Sequence, residues 1–156
     1  MKPKSYRQLY VHIVFAVKYR QALLSDKIRS QVFEYMSGIV SNLGHKSINI
    51  DGTTDHVHLL IGLNPVMSIS ELVRNIKRSS TLYINKEKLC PIRFSWQEGY
   101  GVFSSSHSHL ERVYNYIINQ HQHHQKISFR EEYIRFLKHH EIDYDERFLF
   151  DFFDSV

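Results

Sequence analysis

One cysteine, Cys90, stands among 156 residues, so the chain cannot build an internal disulfide framework, and it fits a reducing cytoplasm. No apolar run approaches the roughly 20 residues needed to span a bilayer. Met1-Lys2-Pro3-Lys4 leads into no apolar segment with a small-residue cleavage site. The expected setting is therefore cytoplasmic, with no membrane partner. Glycine is scarce, at six residues, and none forms a phosphate-cradling loop. No Ser-His-Asp set or cysteine cluster is visible either. With three prolines, no repeat and no linker-like stretch, the chain reads as one domain over 1–156, with a core at about 6–138 and an acidic, aromatic tail at 139–156.

What is present is apolar surface and an uneven charge. Hydrophobic residues make up 42% of the chain, enough to fill a good-sized core. The net charge of +4 divides unequally: residues 131–156 carry eight acids against three bases, net −5, leaving +9 for residues 1–130. A basic body favours phosphate-bearing partners, although an ordinary basic surface would give the same balance.

Residues 9–17 alternate as a strand, with Leu9, Val11, Ile13, Phe15 and Val17 on one face and Tyr10 and His12 on the other. Helical spacing follows at 26–43 (Ile28, Val32, Met36, Ile39, Leu43), with Ser25 as N-cap and Gly44 as stop. A strand at about 46–51 points Ile48 and Ile50 inward. Gly52-Thr53-Thr54-Asp55 then turns the chain into a strand at 56–62. The capping box Ser68-Ile-Ser-Glu71 opens a second helix to about residue 87, and Gly101–Ser105 forms a fourth strand after a loop-rich stretch. Two further boxes, Ser108–Glu111 and Ser128–Glu131, open helices to about residue 125 and beyond residue 129. The aromatic end, with Tyr144, Phe148, Phe150, Phe152 and Phe153, is expected to pack back on the body. The first six elements give the split β-α-β-β-α-β layout: an antiparallel sheet with two helices on one face and the other face open.

The polar face of that sheet carries His12, Asn49, Asp51, His56 and His58. His56 and His58 point the same way because strand side chains alternate, while Val57, Leu59 and Ile61 enter the core. Two readings are open for the pair: metal ligands, or exposed histidines on a sheet. Two other His-x-His pairs, 107/109 and 121/123, fall at a helix start or on a helix, where such residues diverge. On the third helix, Leu110, Val113, Tyr114, Ile117 and Ile118 form the apolar stripe. Tyr116 and Gln120 lie one turn apart on its flank, with His124 a further turn along. Together, two imidazoles and an amide oxygen would leave a divalent ion with open positions for phosphate oxygens. A tyrosine beside them, with an ordinary pKa of about 10, needs a nearby cation or base to act as a nucleophile. Asp51 and Asp55 fit turn and strand-end roles. The second helix exposes Arg74, Lys77 and Arg78, a candidate phosphate-contacting patch.

These motifs resemble a known family. His56-Val57-His58 looks like the His-hydrophobic-His element of HUH endonucleases, and Tyr116-Ile-Ile-Asn-Gln120 is similar to the motif of their small single-tyrosine, IS200-like transposase branch. Tyr10–Arg20, Phe94–Gly101 and Asn119–His124 are also similar to that branch, so the resemblance covers roughly 6–150.

The resemblance implies an α+β, ferredoxin-like or RRM-like two-layer core, with C-terminal helices carrying the nucleophile. It implies a transposase that cuts and rejoins single-stranded DNA at insertion-sequence ends through a 5′-phosphotyrosine. Carried over, Tyr116 would be the nucleophile, and His56, His58 and Gln120 would hold Mg²⁺ or Mn²⁺. No nucleotide cofactor is needed, since the phosphotyrosine conserves the energy of the broken bond. The implied partners are a second copy of the chain and DNA with a hairpin near the element ends. Alternatives are a domesticated repeat-associated relative, a replication-type nicking enzyme, or a non-enzymatic open-sheet module that binds single-stranded nucleic acid.

Overall fold

A computed structural model describes residues 5–120 and 126–149. Alternation of apolar residues produces β1 (Tyr10–Ala16), β2 (Lys46–Gly52), β3 (His56–Gly62) and β4 (Gly101–Ser105). They pair antiparallel in the order β2-β3-β1-β4. That is the expected split arrangement, with β3 inserted between β1 and β2.

Helices α1 (Asp26–Asn42) and α2 (Ile69–Lys86) cover one face of the sheet. They bury Ile28, Val32, Met36 and Val40 from α1 and Leu72, Val73, Ile76 and Ile84 from α2, against Ile13, Phe15, Val57, Leu59 and Ile61. Gly44 stops α1 just past its C-cap Leu43, in the left-handed region at φ +87°, where a Cβ would be strained. Ser68 caps α2 by accepting the Glu71 backbone N–H at 3.2 Å. Trp96 seals the end of β1: its ring meets Phe15 and Phe94 edge-on, and its indole N–H donates to Ser80 at 2.9 Å.

The opposite face is not open. Helices α3 (Leu110–Ile118) and α4 (Phe129–His139) lie over it, α3 against β2 and β3. Three imidazoles and the hydroxyl and carboxylate of α3 and α4 lie against one another there, so a face that looks polar in sequence is buried. Ser128 caps α4 as expected, accepting from Glu131 N–H at 3.1 Å. The box at Ser108 fails. Ser108 lies inside a 3₁₀ turn, His107–His109, and its hydroxyl bonds to Ser106 and His109 instead, so α3 starts at Leu110.

Two other expectations change. A bulge between Ser47 and Asn49 puts Ser47 opposite Ile61, while Ile50 alone of the two isoleucines packs on the core. On α3 only Ile117 is fully buried; Tyr114 and Ile118 are exposed, because the helix turns Tyr116 toward the sheet, and it ends at Ile118 rather than near residue 125, with Gln120 just past its C-cap Asn119. In the tail, Tyr144 and Leu149 pack on the core. The Phe148 side chain, Phe150, Phe152, Phe153 and His121–His124 lie outside the described residues.

Gly52 sets up β3. A Cβ there would lie 2.2 Å from the His56 carbonyl oxygen, against backbone that cannot yield without opening the hairpin. Gly52→Ala is expected to cost about 2 kcal/mol or more, read by urea denaturation; an unchanged midpoint would show that the turn relaxes freely.

Candidate active site

His56 and His58 arrive on one face of β3, as strand alternation requires, and both are fully buried. Their Nδ1 atoms are occupied on the outer side. His56 Nδ1 donates to Asp55 Oδ1 at 2.8 Å and also lies 2.8 Å from the Thr53 hydroxyl. Asp55 is held in turn by Arg20, Nε to Oδ2 at 3.1 Å. Arg20 reaches it from a tight turn in which Tyr19 and Arg20 both take positive φ. Burial alone would raise the Asp55 pKa. Its hydrogen bond with His56, followed by the charges of His56 and Arg20, brings it instead down to about 2. His58 Nδ1 is 2.7 Å from His12 Nε2, with the two rings stacked.

The Nε2 atoms therefore face inward, the arrangement of a metal-binding histidine oriented by an outer partner. Glu132 of α4 meets them there. Its Oε1 lies 3.0 Å from His58 Nε2 and 3.7 Å from His56 Nε2. Gln120 Oε1 lies 3.3 Å from His56 Nε2, while its amide nitrogen donates to the Tyr116 carbonyl at 3.4 Å. Glu132 Oε2 accepts a short hydrogen bond from the Tyr116 hydroxyl. Phe129 stacks flat on His56 at 3.9 Å, and Phe136 packs edge-on against both His12 and Tyr116. Tyr116, Gln120 and the two histidines, over fifty residues apart in sequence, thus meet at one point.

The chemistry of this donor set fits a cation. His56 is kept neutral chiefly by burial, which pushes its pKa below 6.5. With its proton on Nδ1, the bare Nε2 faces two oxygens that are themselves acceptors. Donor atoms about 2.1 Å from a shared ion stand roughly 3.0–3.4 Å apart; the His58–Glu132 and His56–Gln120 pairs match at 3.0 and 3.3 Å, while His56–Glu132, at 3.7 Å, would have to draw in. His56, His58 and Glu132 place one ligand atom each within 4.8 Å of one another, so the cluster could bind a divalent metal. Burial, then the charge and hydrogen bond of Glu132, raise the Tyr116 pKa far above its ordinary value, so the hydroxyl keeps its proton in this arrangement.

Glu132 is the residue that sequence reasoning missed. Its signal was faint: a carboxylate one position before Tyr133, on the inner side of an amphipathic helix. Asp55, expected to be a turn residue, is also the support of His56. Arg74, Lys77 and Arg78 lie away from the cluster, on α2 across the sheet. Arg74 and Arg78 are exposed along a groove of about 770 Å³ between α2 and residues 95–100. Lys77 instead donates to the carbonyls of Gln97 (2.8 Å) and Gly99 (2.7 Å), and burial lowers its pKa to about 8.

An antiparallel split sheet presenting a histidine pair to a tyrosine helix defines a class, and comparison with known proteins agrees. The family model "Transposase IS200 like" matches residues 5–120, and the chain belongs to this family. It is similar to ISDra2 transposase TnpA of Deinococcus radiodurans, 28% identical over 120 residues covering 73% of this chain and 85% of that one. It is 26% identical over 115 residues to the IS200 transposase of Salmonella typhimurium, covering 70% and 74%. Among solved structures, a candidate transposase from Deinococcus radiodurans R1 aligns with a TM-score of 0.60 at 24% identity, covering 77% of this chain and 96% of that one. A REP-associated tyrosine transposase bound to a REP hairpin aligns at 0.59 and 13%, covering 88% and 87%. Both show the same fold.

The buried histidines set an acid limit on stability. For His12 and His56, burial puts the folded pKa below 6.5, so the unfolded chain takes up protons first as pH falls through that value. Stability from these groups is therefore complete above about pH 7 and is lost toward pH 5, whereas that from Asp55 persists down to about pH 4. Melting of the chelator-treated protein is expected at a clearly lower temperature at about pH 5 than at pH 7; a flat profile would contradict neutral burial.

Proposed function

We propose that the chain is a transposase acting on single-stranded DNA, with Tyr116 as nucleophile and His56, His58 and Gln120 as ligands of Mg²⁺ or Mn²⁺. The observation that carries this reading is the meeting of Gln120 Oε1 with His56 Nε2, while the Tyr116 ring packs edge-on against His58 and its hydroxyl bonds to Glu132 beside the pair. An ion bound there would polarise a DNA phosphate. The Tyr116 oxygen bonds to phosphorus and the bond to the 3′ oxygen breaks, leaving a 5′-phosphotyrosine and a 3′-hydroxyl. The phenolic proton goes to Glu132, which already accepts it, and the 3′ oxygen takes up a proton in its place. The reverse attack rejoins strands, with no nucleotide cofactor.

The arrangement described is a closed one, since His56, His58, Gln120 and Glu132 are all at most 1% exposed. Tyr116 is half-buried, but a phosphate reaches the histidine nitrogens only when α3 or α4 moves aside. A cleft of about 410 Å³ adjoins the cluster at His12; its lining is largely apolar, with Phe103, Val113 and Phe136, but Ser104, Ser106 and Arg112 on it could meet a DNA backbone. Arg74 and Arg78 offer a second backbone contact, whereas Lys77 is spent on its loop. DNA with a hairpin and a second copy of the chain are the partners this reading includes. Tyr114 and Ile118, 39% and 45% exposed one turn apart on α3, are apolar surface for such a copy. The covered sheet face removes the surface that an open-sheet binding module would use. No helix among the described residues is long and apolar enough to cross a membrane; a cytoplasmic setting is part of the proposal.

Incubating the protein with a single-stranded DNA library and Mn²⁺ is expected to give a denaturation-resistant protein–DNA adduct. Tyr116→Phe should give none, and His58→Ala should bind DNA while losing at least about tenfold in adduct yield. A Tyr116→Phe adduct would remove the nucleophile; no adduct from any strand would remove the function. In salt titrations of DNA binding, Arg74→Ala should lower the slope by about 1 and Lys77→Met should leave it unchanged while lowering the melting temperature. The opposite pattern would reassign the contact.

A further inference from the structure

The IS200-like match ends at residue 120, yet the most central oxygens of the cluster belong to Glu132, twelve residues later. Its two oxygens do different things. Oε1 stands against both histidine nitrogens, nearer to His58 than Gln120 stands to His56. Oε2 holds the Tyr116 hydroxyl. The side chain is 1% exposed, and α4 is fixed behind it by Phe129 on His56 and by Phe136 on His12 and Tyr116. A carboxylate is a stronger ligand for a hard divalent ion than an amide oxygen, and it alone among these donors brings negative charge to balance the ion.

We propose that Glu132 is a metal ligand through Oε1 and positions the nucleophile through Oε2, so that ion binding and tyrosine placement depend on one carboxylate supplied by α4. The proposal rests on the reading of Tyr116 as nucleophile for its second half only. Toward the Tyr116 hydroxyl, Glu132 both fixes the oxygen and, under that reading, accepts its proton. Gln120 is then the weaker contributor to ion affinity, although it lies in the family's motif.

The test is Mn²⁺ titration of the full-length chain by calorimetry, with no DNA present. Glu132→Gln keeps the volume and the oxygen but loses the charge. It is expected to weaken Mn²⁺ binding by at least about tenfold, more than Gln120→Ala does. Affinity within about twofold of wild type would overturn the ligand role. If circular dichroism shows Glu132→Gln misfolded, Glu132→Asp serves: withdrawal of the carboxylate by one methylene should still weaken binding, and wild-type affinity would overturn the proposal.

The positioning half is read by NMR of tyrosine-labelled protein. The Tyr116 ring resonance, identified by its loss in Tyr116→Phe, should shift on adding Mg²⁺ in the wild type and stay put in Glu132→Gln. An equal shift in Glu132→Gln, or none in the wild type, would overturn the coupling. These outcomes separate from those of the function. Adduct formation with Mn²⁺ affinity indifferent to Glu132 sinks this inference alone. Glu132-dependent Mn²⁺ binding with no adduct from any DNA supports the ligand role and sinks the function.

Discussion

A single buried carboxylate sets the constraints for the rest of this molecule. Glu132 is almost without solvent, and an ionised group there is tolerated only if nearby donors or a cation compensate it. Two groups there can donate to it, the Tyr116 hydroxyl of α3 and His58 Nε2 on β3, while the bare His56 Nε2 at 3.7 Å leaves the rest to a cation. Each partner has its own support. Arg20 and Asp55 orient His56, and His12 orients His58. Replacing any of these leaves a buried polar group without its match, which costs more than the hydrogen bond itself contributes.

The sheet is arranged to make that cluster possible. β3 lies at the inside of the sheet, flanked by β2 and β1, so its backbone is rigid and its two histidines are fixed relative to each other. The apolar face is pressed on α1 and α2, and the polar face holds the cluster of histidines and carboxylate. Separating the two lets a site with little net stabilising value persist in a fold held together elsewhere. α3 and α4 are then short covers: α3 packs on β2 and β3, and α4 buries Phe129, Tyr133 and Leu137 in the core besides its stacked and edge-on rings at the site.

Side-chain commitments also separate residues that look alike in sequence. Arg74, Lys77 and Arg78 form one basic run, but Lys77 turns inward to two loop carbonyls, while the arginines stay at the surface. A lysine holding residues 97–99 next to Trp96 contributes to the loop that closes the end of β1. Its role belongs to the scaffold and theirs to the solvent-facing groove.

Local rules in the sequence determined most of the scaffold: the four strands, the stops and caps at Gly44, Ser68 and Ser128, and the split order of elements. They also determined that His56 and His58 share a face, because strand alternation is a property of the backbone alone. They marked Tyr116 and Gln120 as neighbours through helical spacing. Local rules failed where a competing partner lay elsewhere in the fold. Ser108 gave its hydroxyl to Ser106 and His109 rather than to a helix, and the bulge at Ile48 moved Ser47 into a core register. Only the tertiary structure decided that the histidine face is covered, that Asp55 and His12 stand behind the pair, and that Glu132 stands in front of it. The physical reason is range: a carboxylate's partners are chosen by distance in space, and 74 residues of chain separate Glu132 from the histidine that it touches most closely.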